Sequence, residues 1–409
     1  MSGHPDLADA RAWAESCARA SYGRLLALLT ARTHDVAAAE DALADAFERA
    51  LERWPTEGVP RNRDGWLLTV ARNRQRDQWR SAAVRTSVPL DVERHARAVG
   101  EEQVAIPDRR LALLLVCAHE QISPGLQTPL MLNVVLGYTA EQISGAFAVP
   151  ASTMASRLVR AKRRIKADRI PFEDPEQGDL WRRLAPVREA VYGAFAIEWP
   201  TVGRARHALV LGLGDLLTEL APGDPEVHGL AALMYLSSAR LPARTGVDGR
   251  FVPLAQQDPQ NWNGSMIERG HAHLRAAHKL GVVGRFQLEA AITAVHCAHG
   301  PDRPTDWPTL HRLHVALQEL APTLGGTVAL AAVTAEIDGP AAGLEVLRAV
   351  ADGTRRFQPA WSTRAHLLAR LGHLDDARTA CDRAITLATD PAEREYLALR
   401  RAELECPEA

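Results

Sequence analysis

Residues 151–169 combine small polar side chains with a run of cations, and this is the sharpest chemical signal in the sequence. Polar groups near the start of a helix can contact base edges, and cations further along can contact phosphates. The first set comprises Ser152, Thr153, Ser156 and Arg157, and the second comprises Arg160, Lys162, Arg163, Arg164 and Lys166. The alternative is an ordinary solvated basic helix.

A helix-turn-helix pattern surrounds this run. Thr139 and Gln142 form a capping box, which starts a short helix that we expect to pack through Ile143 and Phe147. Residues 148–149 then turn the chain.

Pro150 begins the second helix, because a proline lacks an N–H that the first helical turn leaves unpaired anyway. Met154 and Leu158 are four residues apart and give this helix an inward face. The pattern predicts that the second helix, about 151–167, enters the major groove of a DNA duplex.

A second set of arginine and asparagine side chains falls on a predicted helix over 65–80. Its apolar stripe includes Trp66, which we expect in the core. Trp79 leaves two interpretations open, a core position or stacking on an unpaired base. The face opposite the stripe carries Arg72, Asn73, Arg76 and Arg80, whose side-chain types commonly contact bases and phosphates.

A helix with an acidic face precedes this one. Asp35 predicts the N-terminus of a helix over 36–54, in which apolar residues recur at helical spacing and acids concentrate on the other side. Residues 55–64 contain Pro55, Gly58 and Pro60, which predict a loop.

The composition indicates a folded, helical protein. The chain has 409 residues, of which 46% are hydrophobic and 24% charged, so two or three domains are expected. The five scattered cysteines have no metal or disulfide spacing, which fits a reducing cytoplasm. No signal peptide or membrane span is expected. Residues 1–170 are slightly basic and 171–409 acidic, which indicates different partners for the two parts.

The order of these features resembles the two-domain core of sigma-70 family factors of the extracytoplasmic-function type. The resemblance lies in AEDALADAFERALERW at 39–54, GWLLTVARNR at 65–74 and VPASTMASRLVRAK at 149–162. It extends to the branch whose members carry a long C-terminal extension with tetratricopeptide-like repeats.

The resemblance implies a role for each segment. The helix 36–54 would bind the clamp helices of the RNA polymerase core through Asp41, Asp45 and Phe47. The helix 151–167 would read the −35 element of promoter DNA as a duplex. The loop 55–64 and the helix 65–80 would recognise and open the −10 element, with loop candidates Arg61, Asn62 and Arg63 joining the arginine and asparagine face described above.

The C-terminal part is predicted to be a helical extension. Trp361, Leu368, Gly372 and Ala377 follow the spacing of one tetratricopeptide-like unit near 361–391. An unrelated helical domain is the alternative. A polar loop over 248–265 leaves two interpretations open, a ligand-binding loop or a lock against a neighbouring domain, and we favour the lock, with Trp262 as its anchor. Several histidines cluster between 271 and 314, and we expect surface or core positions for them rather than a metal site.

The expected fold is all-α: two small helical sigma domains followed by a larger helical tetratricopeptide-like domain. Sigma domain 2 is expected at 1–82, a linker at 83–107, sigma domain 4 at 108–170 and the extension at 171–409.

The expected function is a cytoplasmic transcription initiation factor that directs polymerase to promoters. The extension is expected to regulate it by binding a protein or a ligand. A stand-alone helix-turn-helix regulator is the alternative. No catalytic activity, cofactor, metal ion or membrane partner is expected, because no phosphate loop, nucleophile elbow or metal signature is present.

Overall fold

A computed structural model of the chain describes residues 21–83, 109–147, 149–172, 177–198, 204–246, 248–298 and 304–405. Within these ranges the protein is helical, and its β-structure is confined to an isolated bridge between Thr245 and Phe251. The all-α prediction is therefore confirmed. The chain forms two compact units, residues 1–213 and 214–409, which are described separately.

The first unit begins with three helices: α1 (21–33), α2 (Val36–Glu57) and α3 (Arg63–Ala83). Asp35 caps α2 as predicted, because its carboxylate accepts a hydrogen bond from the backbone N–H of Ala38 at 3.1 Å. α2 and α3 pack against each other, and Trp54 meets Trp66 edge-on at 5.7 Å between ring centroids. Trp66 is half-buried, in line with the core position expected for it.

The predicted loop 55–64 is shorter than the sequence suggested. The helix α2 continues through Pro55 to Glu57, and α3 already begins at Arg63. A proline has a helical φ and here removes a single hydrogen bond from the last turn, so α2 tolerates it close to its end. The loop therefore covers 58–62, and Gly58 leaves the helix with φ of +87°.

Four further helices form the predicted helix-turn-helix domain. They are α4 (Arg110–Cys117), α5 (Pro124–Val134), α6 (Ala140–Phe147) and α7 (Ala151–Ala167). The first unit then continues with α8 (Gln177–Glu198), which packs on α4 and α5. The buried Tyr138 donates its hydroxyl hydrogen to the carbonyl of Ala194 at 3.3 Å. The unit therefore extends beyond the sequence-predicted boundary at 170/171, to Leu213 within α9 (Arg204–Leu220).

The second unit is an array of helices. After the end of α9 come α10 (Pro225–Ser238), α11 (Gly264–Lys279), α12 (Arg285–Cys297), α13 (Trp307–Leu320), α14 (Leu324–Asp338), α15 (Pro340–Arg348), α16 (Ala351–Thr354), α17 (Gln358–Arg370), α18 (Leu374–Leu387) and α19 (Pro391–Glu403). α10 is its innermost helix, with an unbroken run of buried residues from Gly229 to Ser238. A helix that is apolar all round must be enclosed, and α11 and α12 cover it.

The tetratricopeptide-like motif forms the antiparallel pair α17 and α18. Its small residues Ala365, Ala377 and Ala380 lie in a shared core against Leu368, and Trp361 packs on this core. Gly372 turns the chain between the helices with φ of +77°. α14 and α15 form a similar pair, joined at Gly339 with φ of +91°.

The polar loop is held by the buried side chain of Trp262 and by hydrogen bonds to backbone groups. Trp262 is 8% exposed, and Asn263 caps α11 by accepting a hydrogen bond from the backbone N–H of Met266 at 3.2 Å. The amide of Gln257 donates to the carbonyl of Val252 at 3.1 Å. Residue 247, which precedes this loop, lies outside the described ranges.

The histidines take surface and core positions where the structure describes them. His278 is exposed, whereas His314 is buried on α13. His273 stacks on Tyr235 with ring centroids 5.8 Å apart. In the described ranges no cluster of three or more His, Cys, Asp or Glu side chains could hold a metal ion, and His299 lies outside those ranges.

Candidate nucleic-acid interface

The capping box starts the first helix of the helix-turn-helix. The backbone N–H of Gln142 donates to Oγ1 of Thr139 at 3.2 Å, and the backbone N–H of Thr139 donates to Oε1 of Gln142 at 3.0 Å. Ile143 is buried as predicted, but Phe147 is 37% exposed, so its predicted packing is wrong. Phe147 is the last residue of α6 and lies beside Tyr192 on α8, at the rim of a cleft. Residue 148 of the predicted turn lies outside the described ranges.

The second helix has one buried and one solvated face. Met154, Leu158, Ala161 and Ile165 form the buried stripe of α7. The side opposite the stripe carries the candidate −35 contacts: Ser152, Ser156, Arg160 and Arg163 are exposed, and Thr153, Arg157 and Lys162 are partly buried. This is the arrangement that a major-groove recognition helix needs, because the apolar stripe fixes which side chains face outward.

A cationic cleft lies on the same helix. Arg157, Arg160 and Arg164 line a space of about 450 Å³ together with residues 121–123 and 125–126, next to the N-terminus of α5. Arg164 forms an ion pair with Asp168. Guanidinium groups attract phosphate oxygens, and the positive end of a helix dipole adds to this attraction. The cleft therefore suits a segment of DNA backbone.

The acidic helix α2 exposes its carboxylates unequally. Asp41 is exposed, and Asp45 forms an ion pair with Arg74 of α3 at 2.5 Å. Phe47 is half-buried, whereas Leu51 is 42% exposed. Exposed acids and an exposed leucine together make a surface suited to a basic and partly apolar protein partner.

The candidate −10 residues differ in exposure and in role. Arg61 and Arg76 are exposed. Asn62 has a structural role, because its side-chain oxygen accepts a hydrogen bond from the backbone N–H of Gly65 at 2.9 Å and so caps α3. Arg63 lies in α3 rather than in the loop where it was predicted.

The remaining −10 candidates lie further along α3. Arg72 and Asn73 are half-buried, and burial together with the nearby Arg32 lowers the pKa of the Arg72 guanidinium. For Trp79 and Arg80 the structure describes the helical backbone and not the side chains.

The recognition helix α7 packs against the acidic helix α2. Nζ of Lys162 lies 2.6 and 2.8 Å from the two carboxylate oxygens of Glu40. Nζ of Lys166 lies 2.7 Å from Asp35, the residue that caps α2. Next to them, Nδ1 of His34 lies 3.2 Å from the carbonyl oxygen of Ile170.

Burial dominates the electrostatics of this contact. Burial raises the pKa of the Glu40 carboxyl, and Lys162 opposes this shift. Glu40 and His34 were not predicted as site residues, because a contact between residues 122 positions apart leaves no periodic signal in the sequence. The sequence offers one signal for this contact, which is opposite charge: α2 is acidic, and α7 carries the lysines that pair with it.

The comparisons with known proteins identify the family of both domains of the first unit. Residues 9–85 match the model of sigma-70 region 2, and residues 112–165 match the model of sigma-70 region 4. A similar protein, an uncharacterized protein of Rhizobium meliloti (strain 1021), is 34% identical over 375 residues, which cover 88% of this chain and 89% of that protein. The chain belongs to the sigma-70 family.

It is a sigma factor of the extracytoplasmic-function type with a C-terminal extension, and it acts in transcription initiation. Its partners are RNA polymerase core and promoter DNA, and factors of this family are not enzymes. The family identification gives α2 and α3 a role that a stand-alone DNA-binding regulator would not require.

Part of the extension has its own family relationship. Residues 183–278 of the sigma factor match a family of unknown function, DUF6596, whose range spans parts of both compact units. No solved structure matches the chain. In the part of the chain that the structure describes, the helices are too short or too polar to cross a membrane.

Proposed function

We propose that the sigma factor binds the clamp helices of the polymerase core through the exposed face of α2. Asp41 and Asp45 supply charge, and Phe47 supplies an apolar contact. The exposure of Asp41 supports this role, since it is free to meet a cation of the partner. Asp45 must give up its ion pair with Arg74 before it can pair with a cation of the core. The number of ion pairs that Asp45 forms therefore stays the same on binding.

The same proposal assigns promoter reading to α3 and α7. Arg61, Arg63, Arg72, Asn73, Arg76 and Arg80 contact the −10 element, and Asn62 positions them by capping α3. On α7, Ser152, Thr153, Ser156 and Arg157 contact bases of the −35 element. Arg160, Lys162 and Arg163 contact its phosphates.

The observation that carries the proposal is the solvated face of α7. Its buried stripe turns the candidate base-reading residues outward. One of them, Arg157, also lines the cationic cleft together with Arg160 and Arg164. A basic helix without a recognition role would not require this cleft at the N-terminus of its partner helix.

Lys162 cannot contact a phosphate while it is paired with Glu40. The described arrangement of α2 and α7 is therefore a closed one, and promoter binding requires α7 to leave α2. The core competes for the same helix α2, so core binding favours this separation.

In this proposal the extension regulates the factor. Its acidic composition supports this role, because an acidic part of the chain attracts the basic DNA-binding part. The factor acts in the cytoplasm, with the polymerase. A deletion of residues 221–409 tests the regulatory role better than one that begins near 175, because α8 packs on α4 and α5. Unchanged promoter output after this deletion would refute regulation by the extension.

The promoter-reading assignment is tested with a randomised DNA library. We expect the factor with core to enrich two separated sequence blocks, and Arg157→Ala to relax only the upstream block. Arg76→Ala should relax only the downstream block. Enrichment of one palindromic site without core would instead support a stand-alone regulator.

A further inference from the structure

A cavity in the extension lies within the second unit, outside the helices proposed to contact promoter DNA. It has a volume of about 290 Å³ and lies between α14, α17 and α19, with Pro253 of the polar loop at its edge. This is near the lower limit of roughly 300 Å³ for small-molecule sites. A helix or a folded partner would not fit into it.

Small residues create this space. Ala332 on α14 and Ala365 and Ala369 on α17 place methyl groups where larger side chains would fill the gap. α19 packs on α18 rather than closely on α17, which leaves a groove between α17 and α19. Leu397 and Leu404 complete an apolar floor.

Polar groups converge above this floor. Ser362 and Thr363 on α17 and Tyr396 on α19 line the cavity, and each of these side chains carries a hydroxyl group. Among the described residues, none of these three hydroxyls forms a hydrogen bond with another protein group. A helical serine or threonine often satisfies its hydroxyl on the preceding turn, as Thr334 and Thr386 do in the same unit.

One cation dominates the charge of the lining. Arg400 lies on the same face of α19 as Tyr396, and no carboxylate lines the cavity in its described part. Nη1 of Arg400 donates to Glu403 at 2.6 Å, and the other N–H groups of the guanidinium remain for a second acceptor. Burial and the neighbouring Arg370 and Arg400 lower the pKa of His366, which also lines the cavity, so its imidazole is neutral at physiological pH.

We propose that this cavity binds a small organic carboxylate with an apolar body. The carboxylate pairs with Arg400 and accepts hydrogen bonds from Ser362, Thr363 and Tyr396, and the apolar body lies on the alanine and leucine floor. An uncharged ligand would give the remaining N–H groups of Arg400 no anionic acceptor, and an inorganic anion would leave the apolar floor uncovered. The evidence for this site does not depend on the regulatory role proposed for the extension. If the extension does regulate the factor, a carboxylate bound here would be the signal to which it responds.

Titration calorimetry on the full chain tests the proposal, with benzoate and hexanoate as probes. Benzamide is the matched neutral control, and sulfate controls for charge without an apolar body. We expect saturable binding of at least one carboxylate and no binding of benzamide or sulfate. Loss of the charge-assisted hydrogen bond in Arg400→Gln should weaken binding about tenfold or more.

Two variants serve as controls for fold and net charge. Arg356→Gln removes an exposed arginine of the same unit outside the cavity and should bind as the native chain does. Ala369→Leu fills the cavity and should abolish binding, whereas Ala398→Leu on an exposed position of α19 should not. Circular dichroism confirms that each variant is folded.

The proposal is wrong if neither carboxylate binds the native chain. It is equally wrong if benzamide binds as well as benzoate, or if Arg356→Gln weakens binding as much as Arg400→Gln. Binding that survives Ala369→Leu in a folded variant would place the carboxylate elsewhere and overturn this site.

Discussion

Lys162 of the recognition helix α7 and Glu40 of the acidic helix α2 form a bidentate ion pair, with N–O distances of 2.6 and 2.8 Å. Both side chains are largely enclosed, at 13% and 22% exposed. In the sigma factor this pair joins the helix proposed to read the −35 element to the helix proposed to bind polymerase. Each partner compensates the desolvation of the other, so the pair opposes separation of the two helices.

Glu40→Gln should release α7 from α2. Removing one charge leaves Lys162 enclosed and uncompensated, which favours the open arrangement in which Lys162 is solvated or contacts a phosphate. We expect Glu40→Gln to bind −35 duplex DNA more tightly than the native chain, by roughly tenfold, corresponding to about 1.4 kcal/mol. Fluorescence anisotropy on the isolated duplex, without core, measures this.

Glu52→Gln is the matched control, because it removes an exposed acid from the same helix and changes the net charge equally. An equal gain in affinity for both variants would mean that only net charge matters, and the closed arrangement would then have no effect on DNA binding.

Arg160→Ala and Arg163→Ala should weaken promoter binding similarly across DNA sequences. Each variant loses one phosphate contact, so the slope of log affinity against log salt should fall by about 1. Affinity measured at several salt concentrations checks this. Arg182→Ala, at an exposed position of α8, should leave the slope unchanged. A change of sequence preference with an unchanged slope would assign these arginines to bases instead.

The stability of the extension should fall in mild acid because of His314. Burial, together with His311, lowers the pKa of His314, so below about pH 6.5 the unfolded chain binds the proton more readily than the folded one. This contribution to stability is present above the unfolded pKa and is lost as pH falls through the folded pKa.

His314→Leu should therefore reduce the loss of stability between about pH 7.5 and about pH 5.5. Some loss of stability should remain in this variant, since the pKa values of His273 and His366 are also lowered. Urea unfolding at both pH values measures it, with the exposed His278→Leu as control. If His278→Leu reduced the loss of stability as much as His314→Leu, burial of His314 would not be the cause of that loss.

Gly343→Ala should destabilise the extension although alanine favours helices. A Cβ at this position would lie 2.6 Å from the carbonyl oxygen of Ala331 and 2.8 Å from Cβ of Ala335. Helix propensity favours alanine by about 0.5–1 kcal/mol, whereas overpacking costs roughly 1–3 kcal/mol, so the clash prevails.

Thermal unfolding checks this expectation against Gly325→Ala, where the new Cβ makes an ordinary contact with Phe357 at 3.8 Å. A midpoint for Gly343→Ala at or above that of Gly325→Ala would show that α14 and α15 separate easily.

The sequence predicted those elements whose causes are local. Asp35, Thr139 and Gln142 are capping residues, and each forms the hydrogen bond that its type and position require. Helical periodicity placed Met154 and Leu158 in the core of the helix-turn-helix. These features depend on residues a few positions apart, so they can be recognised without knowledge of the tertiary fold.

Features that depend on distant segments were missed. Phe147 was expected in the core because of its spacing from Ile143, but α6 ends there and the ring lies at the rim of a cleft beside α8. The pairing of Glu40 with Lys162 and the packing of α8 on α5 likewise depend on tertiary packing. The cavity of the extension combines residues of separate helices and had no sequence signal.

Retention of the purified sigma factor on RNA polymerase core tests the central claim most directly, with the native chain compared with Asp41→Arg. Asp41 is exposed on α2, so its reversal should leave the fold intact while it repels the cations of the core. Glu120→Arg, at an exposed position outside α2, is the control with the same charge change. The account predicts that the native chain and Glu120→Arg are retained and that Asp41→Arg is lost. Equal retention of Asp41→Arg would contradict the assignment of core binding to α2.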